Sequence, residues 1–323
     1  MGHQTVLVLA NPAEPRLAKL KKLSGDAAIA VGLTPEAFES AAPDATVIFS
    51  WARPRELLRQ VLAMSPGVRW VHTIAAGIDS LLFPELVESP AILTNGSGVF
   101  SPALGEWVLG AVLYFAKNFR RLVGSQAQGK WDPFDVVEIS GQTLGIVGYG
   151  DIGRAVATRA RAMGMRVLGM TRRGPLVYHV DPLVERIFSA QDRIEMVAQC
   201  DYLVVTAPLT PETRGMIGEA EFAAMKPNAV IINVGRGPVI QEQAMICALR
   251  EKRIKGAALD VFDCEPLPQG HPFYLLDNVL LSPHCADHTA TWLDDAMDFF
   301  LANFEHYRKG EPLLNVVDKQ RGY

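Results

Sequence analysis

Three residues of complementary chemistry stand just beyond three successive apolar runs of this chain: Arg236 after 230–234, Glu265 after 257–261 and His284 after 279–282. A guanidinium offers a planar, two-pronged donor to a carboxylate and the carbonyl oxygen beside it. An imidazole titrates near neutral pH, so it is the natural group to hand that oxygen a proton as the carbon gains electrons. A carboxylate bonded to the other ring nitrogen fixes the tautomer and keeps the imidazolium able to donate. The trio suits reduction of a 2-keto acid at its carbonyl. Singly, each has a plainer use: a surface charge, a loop carboxylate, a structural histidine. Their joint arrival at strand ends favours the chemical reading, because ligands of open α/β sheets bind beyond the carboxyl ends of the strands. His72, His179, His271 and His288 lack such company and read as structural, although His288 sits close to the proposed acid.

The electrons need a carrier, and the sequence offers a place for one. Gly148, Gly150 and Gly153 form G-x-G-x-x-G directly after the apolar run 143–148 and open a helical run over 154–163. The first glycine permits a tight turn, the second lets backbone approach a pyrophosphate, and the third lets helix and strand pack closely. The helix start then presents N–H groups and a positive dipole end to the anion. About 20 residues on, an NAD site carries an acidic residue for the ribose 2′-hydroxyl. Here the run 166–171 ends in Thr171, followed by Arg172 and Arg173. Two guanidiniums and no carboxylate suit a 2′-phosphate, so NADP(H) is the expected cofactor, with NAD(H) second.

Strand-like runs lie at 5–10, 46–50, 69–74, 91–94, 143–148, 166–171, 202–207, 230–234, 257–261 and 279–282, with helical stretches between many of them. Most are continuously apolar, as strands buried on both faces of a parallel sheet must be. The alternation predicts an α/β class of doubly wound parallel sheets, and 323 residues suit two domains. Two long helices are expected. One runs over 101–125, with Ser101 as cap and Pro102 in its first turn, and the other lies after His288 and runs to 308. With the motifs between them, the layout is an inner domain, 101–288, inserted into an outer one, 1–100 with 289–323. No repeat or low-complexity tract interrupts it.

A net charge of −4 lacks the positive field of a nucleic-acid binder. Cys200, Cys247, Cys264 and Cys285 show no metal-site spacing, so no metal is expected, and so few thiols fit a reducing, cytoplasmic setting. The apolar run 6–10 is too short for a signal-peptide core, and the run 108–116 is too short to span a bilayer.

The motifs 148–153 (GYGDIG), 207–215 (APLTPETRG), 233–237 (NVGRG), 258–262 (ALDVF), 282–284 (SPH) and 310–317 (GEPLLNVV), with Glu265 and Pro266, fit a family in order and spacing. Over nearly its whole length the chain resembles the D-isomer-specific 2-hydroxyacid dehydrogenases. The resemblance implies a Rossmann cofactor domain inserted in a flavodoxin-like substrate domain, and a D-specific 2-keto/2-hydroxy acid activity. It assigns the family's catalytic trio to Arg236, Glu265 and His284. It implies cofactor contacts from Gly148, Tyr149, Gly150, Asp151, Ile152, Gly153, Thr171, Arg172, Arg173, Ala207, Pro208, Thr213, Val234, Gly235, Arg236, Asp260 and His284. Of these, Asp260 would lie by the nicotinamide carboxamide. Ala76, Gly77 and Ile78 resemble the loop whose amides take the substrate carboxylate, with Arg236 and His284 completing the substrate site. The helix from Ser101 resembles the dimerisation element, so a homodimer is implied. Domain closure over the substrate is expected.

Two features depart from the common pattern. Thr171 replaces the cofactor aspartate, as in NADP-preferring members. After His284 the chain reads Cys285, Ala286, Asp287, His288, adding charge where small residues are usual. Glyoxylate or hydroxypyruvate is the default substrate, with a bulkier keto acid or phosphite as alternatives. Trp51, Arg53, His72 and Ile78 are candidate wall residues. Formate dehydrogenases resemble this fold but carry glutamine in place of Glu265. A dinucleotide-sensing co-repressor of the same fold is the non-enzymatic alternative. The chain shows none of that class's disordered extensions.

Overall fold

The computed structural model describes residues 4–23, 25–52, 55–172 and 181–323. Arg53, Arg173 and His179 lie outside the described residues. The chain forms two compact units, 1–100 with 289–323 and 101–288.

The first unit holds a five-stranded sheet of β1 (Gln4–Leu9), β2 (Ala27–Gly32), β3 (Val47–Ser50), β4 (Trp70–Thr73) and β5 (Ile92–Thr94), ordered β2-β1-β3-β4-β5. Every pairing is parallel. This is the flavodoxin-like order, with its switch point between β1 and β3. All residues of β3 and β4 are buried, which is why their sequences are apolar without alternation. The helix Trp292–Lys309 lays Phe300 on Phe49, ring centroids 3.8 Å apart, and on Trp70.

The second unit holds β6 (Thr143–Val147), β7 (Arg166–Thr171), β8 (Arg186–Ser189), β9 (Tyr202–Val205), β10 (Val230–Asn233), β11 (Gly256–Leu259) and β12 (Val279–Leu281). Their order is β12-β11-β10-β9-β6-β7-β8, again wholly parallel. It is the dinucleotide-binding order with one strand added at the β12 edge. The switch point falls between β6 and β9, so the segments after those strands flank a crevice.

Several expectations need correction. The apolar pattern of the sequence does not mark the strands β2 and β8. β2 is only partly buried (Ala-Ala-Ile-Ala-Val-Gly) and β8 opens on an exposed Arg186, so neither reads as a buried apolar run. The helix from Ser101 does not run on to 125. It ends at Ala116, Asn118 turns the chain with φ of 50°, and a second helix covers Phe119–Ala127. Ser101 is not its cap. It is the first helical residue, and its buried Oγ has no hydrogen-bond partner among the described residues. No helix among the described residues is long and apolar enough to cross a membrane.

Candidate active site

The glycine turn is built as its spacing requires. Gly148 has φ of +95°, a region closed to most L-residues, and a Cβ there would meet the Ala207 backbone at 2.5 Å. Thr206 Oγ1 donates to Gly148 O at 2.7 Å, closing the switch point from the β9 side. Gly150 is extended, caps the helix Asp151–Ala162, and has nothing within 4 Å of a would-be Cβ. A cradle of this kind, open where a side chain would stand and facing a helix start, fits the pyrophosphate of a dinucleotide. A Cβ on Gly153 would sit 3.1 Å from both Gly148 O and Ile146.

Tyr149, between the glycines, lays its ring over Gly169 of β7 and donates its hydroxyl to Asp181 at 2.9 Å. Arg154 also bonds Asp181, whose side chain is buried. Burial pushes the Asp181 carboxyl up, but the Leu183 amide, Tyr149 and Arg154 outweigh it and hold the group low. Burial first, and Asp181 second, raise the Tyr149 hydroxyl. Nothing in the sequence marks this knot, because Asp181 is 32 residues from Tyr149 and belongs to no motif.

At the tip of β7, Thr171 is half-buried and Arg172 exposed. The charge of Arg172 reaches a carboxylate in the segment after β9: Glu212 is held low first by the Thr210 hydroxyl and by backbone, with a further contribution from Arg172. Thr213 serves its own turn, donating to Pro208 O at 2.6 Å and accepting from the Thr210 amide at 2.8 Å.

Beyond β10, β11 and β12 stand the three proposed chemical groups. His284 Nδ1 lies 2.6 Å from Glu265 Oε2, and Glu265 Oε1 accepts the Phe262 amide at 2.9 Å. Both side chains are partly exposed, so the pair is reachable. His284 has φ of 51°, and a non-glycine residue there carries about 1 kcal/mol or more of backbone strain. Asp260 holds it: Oδ1 accepts from Ser282 Oγ at 2.6 Å and from the Cys285 and Ala286 amides at 3.0 and 3.1 Å. Burial raises the Asp287 carboxyl, Asp260 adds to this, and His288 and His284 oppose it.

Arg236 leaves β10 between two close approaches. A Cβ on Gly235 would sit 2.9 Å from Ala207 O, and one on Gly237 would sit 2.0 Å from the Phe262 carbonyl carbon. Asn233 ties the turn, donating to Arg236 O and accepting from the Gly235 amide, both at 3.0 Å. Val234 and Ala207 are buried beneath. His284 and Glu265 are thus in contact, and Arg236 occupies the neighbouring strand end.

In the first unit, Ala75, Ala76 and Gly77 follow β4 and are half-buried. Three of the wall assignments need correction: Trp51, His72 and Ile78 are 6%, 0% and 2% exposed. Ile78 belongs to the core, and His72 packs among Phe49, Trp70, Phe299 and Phe300. Strands buried on both faces read as continuous apolar runs, so the pattern does not tell which of their end residues face the core. No cluster able to hold a metal occurs among the described residues.

Comparison with known proteins gives the family. A family model described as D-isomer specific 2-hydroxyacid dehydrogenase, NAD binding domain, matches residues 109–286. A D-3-phosphoglycerate dehydrogenase of Methanocaldococcus jannaschii is 31% identical over 97% of this chain, which spans 59% of that protein's length. A glyoxylate reductase of Thermofilum pendens is 31% identical over 81% of this chain and 78% of its own. Among solved structures, a D-isomer specific 2-hydroxyacid dehydrogenase from Xanthobacter autotrophicus Py2, in complex with NADPH and MES, superposes with a TM-score of 0.85 at 28% identity, covering 100% of both chains. With more than half its length matched by the model, the chain belongs to the D-isomer specific 2-hydroxyacid dehydrogenase family of NAD(P)-dependent oxidoreductases.

Proposed function

We propose that this chain is an NADP(H)-dependent reductase of small 2-keto acids, with glyoxylate or hydroxypyruvate as substrate. The observation that carries the reading is the 2.6 Å contact between His284 and Glu265 on the sheet edge where Arg236 emerges. The relative named glyoxylate reductase and the NADPH complex of the Xanthobacter protein support the substrate and the cofactor.

Residues 101–288 would hold the dinucleotide, and the outer segments would offer the substrate loop. The glycine turn takes the pyrophosphate, and Arg172 takes the 2′-phosphate, with Arg173 beside it in sequence. Ala207, Pro208, Thr213, Val234, Gly235 and Asp260 line the same crevice in the resemblance. The bound NADPH supplies the hydride. Arg236 grips the keto acid by its carboxylate and carbonyl oxygens. Glu265 fixes the imidazole of His284 through Nδ1, leaving Nε2 to deliver the proton to the carbonyl oxygen. The amides of Ala76, Gly77 and Ile78 take the substrate carboxylate.

A homodimer in the cytoplasm completes the proposal. The four cysteines are all free thiols, as a reducing compartment would leave them. Phe119, Leu122, Val123 and Trp131 are exposed together along and after the helix Phe119–Ala127, and Trp131 is 97% exposed. Apolar groups gathered like this mark a surface that another protein covers. The decisive measurement is NADPH oxidation against a panel of 2-keto acids, repeated with NADH. Turnover with glyoxylate or hydroxypyruvate and a preference for NADPH is expected. Absence of turnover on every keto acid overturns the reading.

A further inference from the structure

The geometry points to Asn95 as a positioning residue that aims the amides of Ala76 and Gly77 at the substrate carboxylate, with Asn315 as its brace. The inference rests on the proposed function, since it concerns how that function's anion cradle is held.

The peptide planes after β4 are fixed through their carbonyls. Asn95 Nδ2 donates to Ala76 O at 2.6 Å, and the Gly96 amide donates to Ala75 O at 3.0 Å. In a trans peptide the N–H points away from the preceding carbonyl. Drawing Ala75 O toward Gly96 therefore turns the Ala76 N–H the other way. Drawing Ala76 O toward Asn95 does the same for the Gly77 N–H. Neither N–H is used as a donor to another described residue. Two adjacent amides are thus presented on one side of the loop, the arrangement that receives a carboxylate. Gly96 has no alternative here, because a Cβ would fall 2.1 Å from Ile74 O.

Asn95 is itself immobilised. It is 7% exposed, and its Oδ1 accepts the Ser97 amide at 3.2 Å. Its backbone is held on both sides by Asn315, a residue of the distant C-terminal segment with φ of 54°. The Asn95 amide donates to Asn315 O at 3.3 Å, and Asn315 Nδ2 donates to Ser97 O at 2.5 Å and Asn95 O at 3.3 Å. The brace joins the end of the chain to the loop through β5, where Thr94 bridges Val316.

The test compares Asn95→Ala, Asn95→Asp and Asn315→Gly with the parent enzyme. Asn95→Asp keeps the acceptor for Ser97 and loses the donor to Ala76. KM for the keto acid should rise about tenfold to a hundredfold in both Asn95 variants, the scale of a displaced binding group. The inhibition constant of oxalate should rise in parallel, with NADPH affinity and kcat changed little. Asn315→Gly suits the positive φ and should give a smaller rise in the same direction. Methyl pyruvate, which lacks the carboxylate charge, should react equally well with parent and variants. That readout and the melting temperature with NADPH separate aiming from simple loosening of the fold. Unchanged KM and oxalate inhibition in Asn95→Asp, in an enzyme whose parent reduces keto acids, overturns the inference. Lack of keto acid reduction by the parent would instead overturn the proposed function.

Discussion

Asp260 Oδ1 accepts the Ser282 hydroxyl at 2.6 Å, and this bond fastens the loop carrying His284 to the end of β11. The same oxygen takes the amides of Cys285 and Ala286, so one buried atom holds the positive-φ turn at His284. Asp260→Ala should lower kcat/KM by about a hundredfold, because the imidazole loses its orientation toward Glu265. Ser282→Ala removes one of three bonds and should cost less than about tenfold. Steady-state kinetics with one keto acid decide it, and equal losses in the two variants would contradict the account.

Removal of the proposed proton donor has a larger expected effect. His284→Ala should reduce kcat by a factor of about 10²–10⁴, the usual contribution of a positioned acid. Glu265→Gln, which leaves the imidazole with a neutral partner, should fall between parent and His284→Ala. If His284→Ala kept turnover within about tenfold of the parent, the proton would have to come from elsewhere.

Cofactor choice should respond to Arg172, beyond β7, and to Glu212, whose carboxylate feels the Arg172 charge. Arg172→Ala should weaken NADPH far more than NADH, since only the former carries a 2′-phosphate. Glu212→Gln removes a carboxylate that now shares the field of Arg172, so it should strengthen NADPH selectively. The kcat/KM ratio for the two cofactors should move in opposite directions in the two variants. A common direction would show that Arg172 and Glu212 do not compete.

Acid stability should follow His72. Desolvation lowers its pKa from 6.5 to about 3 in the fold. The unfolded chain therefore binds the proton more readily between those values, and stability must fall as pH drops through that window. Above pH 6.5 the contribution is complete. At pH 4.5 the cost is about 2–3 kcal/mol from this residue. Denaturant melts of the parent and His72→Leu at pH 7.5 and 4.5 should show a smaller pH loss in the variant, and identical losses would count against this assignment.

Association should depend on the apolar stretch at 119–137. Leu122→Asp with Val123→Asp should convert a species of two chains into one of a single chain in light scattering, with the glycine turn's cofactor affinity retained. An unchanged mass would place the interface elsewhere.

The candidate site is legible in the sequence where chemistry and spacing coincide. Gly148, Gly150 and Gly153 announce themselves because a tight turn, a close approach and a tight packing each require the same residue. Arg236, Glu265 and His284 follow buried apolar strands, so their polarity stands out. The fastenings were not legible. Asn233, Asn95 and Asp181 act through bonds to partners chosen by tertiary contact, and an asparagine in a loop looks the same whether or not it aims a peptide. β2 and β8 escaped for a related reason: sheet edges are only partly buried, so they lack a continuous apolar signal. His72 was misjudged as a wall because the alternation of faces within β4 cannot be read from a strand buried on both sides.

The three glycines of the dinucleotide turn differ in what they would tolerate. Gly148 and Gly153 are hemmed in by protein, whereas the space beside Gly150 is empty out to 4 Å. A methyl group added at Gly150 therefore burdens an incoming pyrophosphate and leaves the protein's own packing alone. Gly150→Ala should yield a folded, dinucleotide-blind counterpart of this protein, against which any role that survives without cofactor could be recognised.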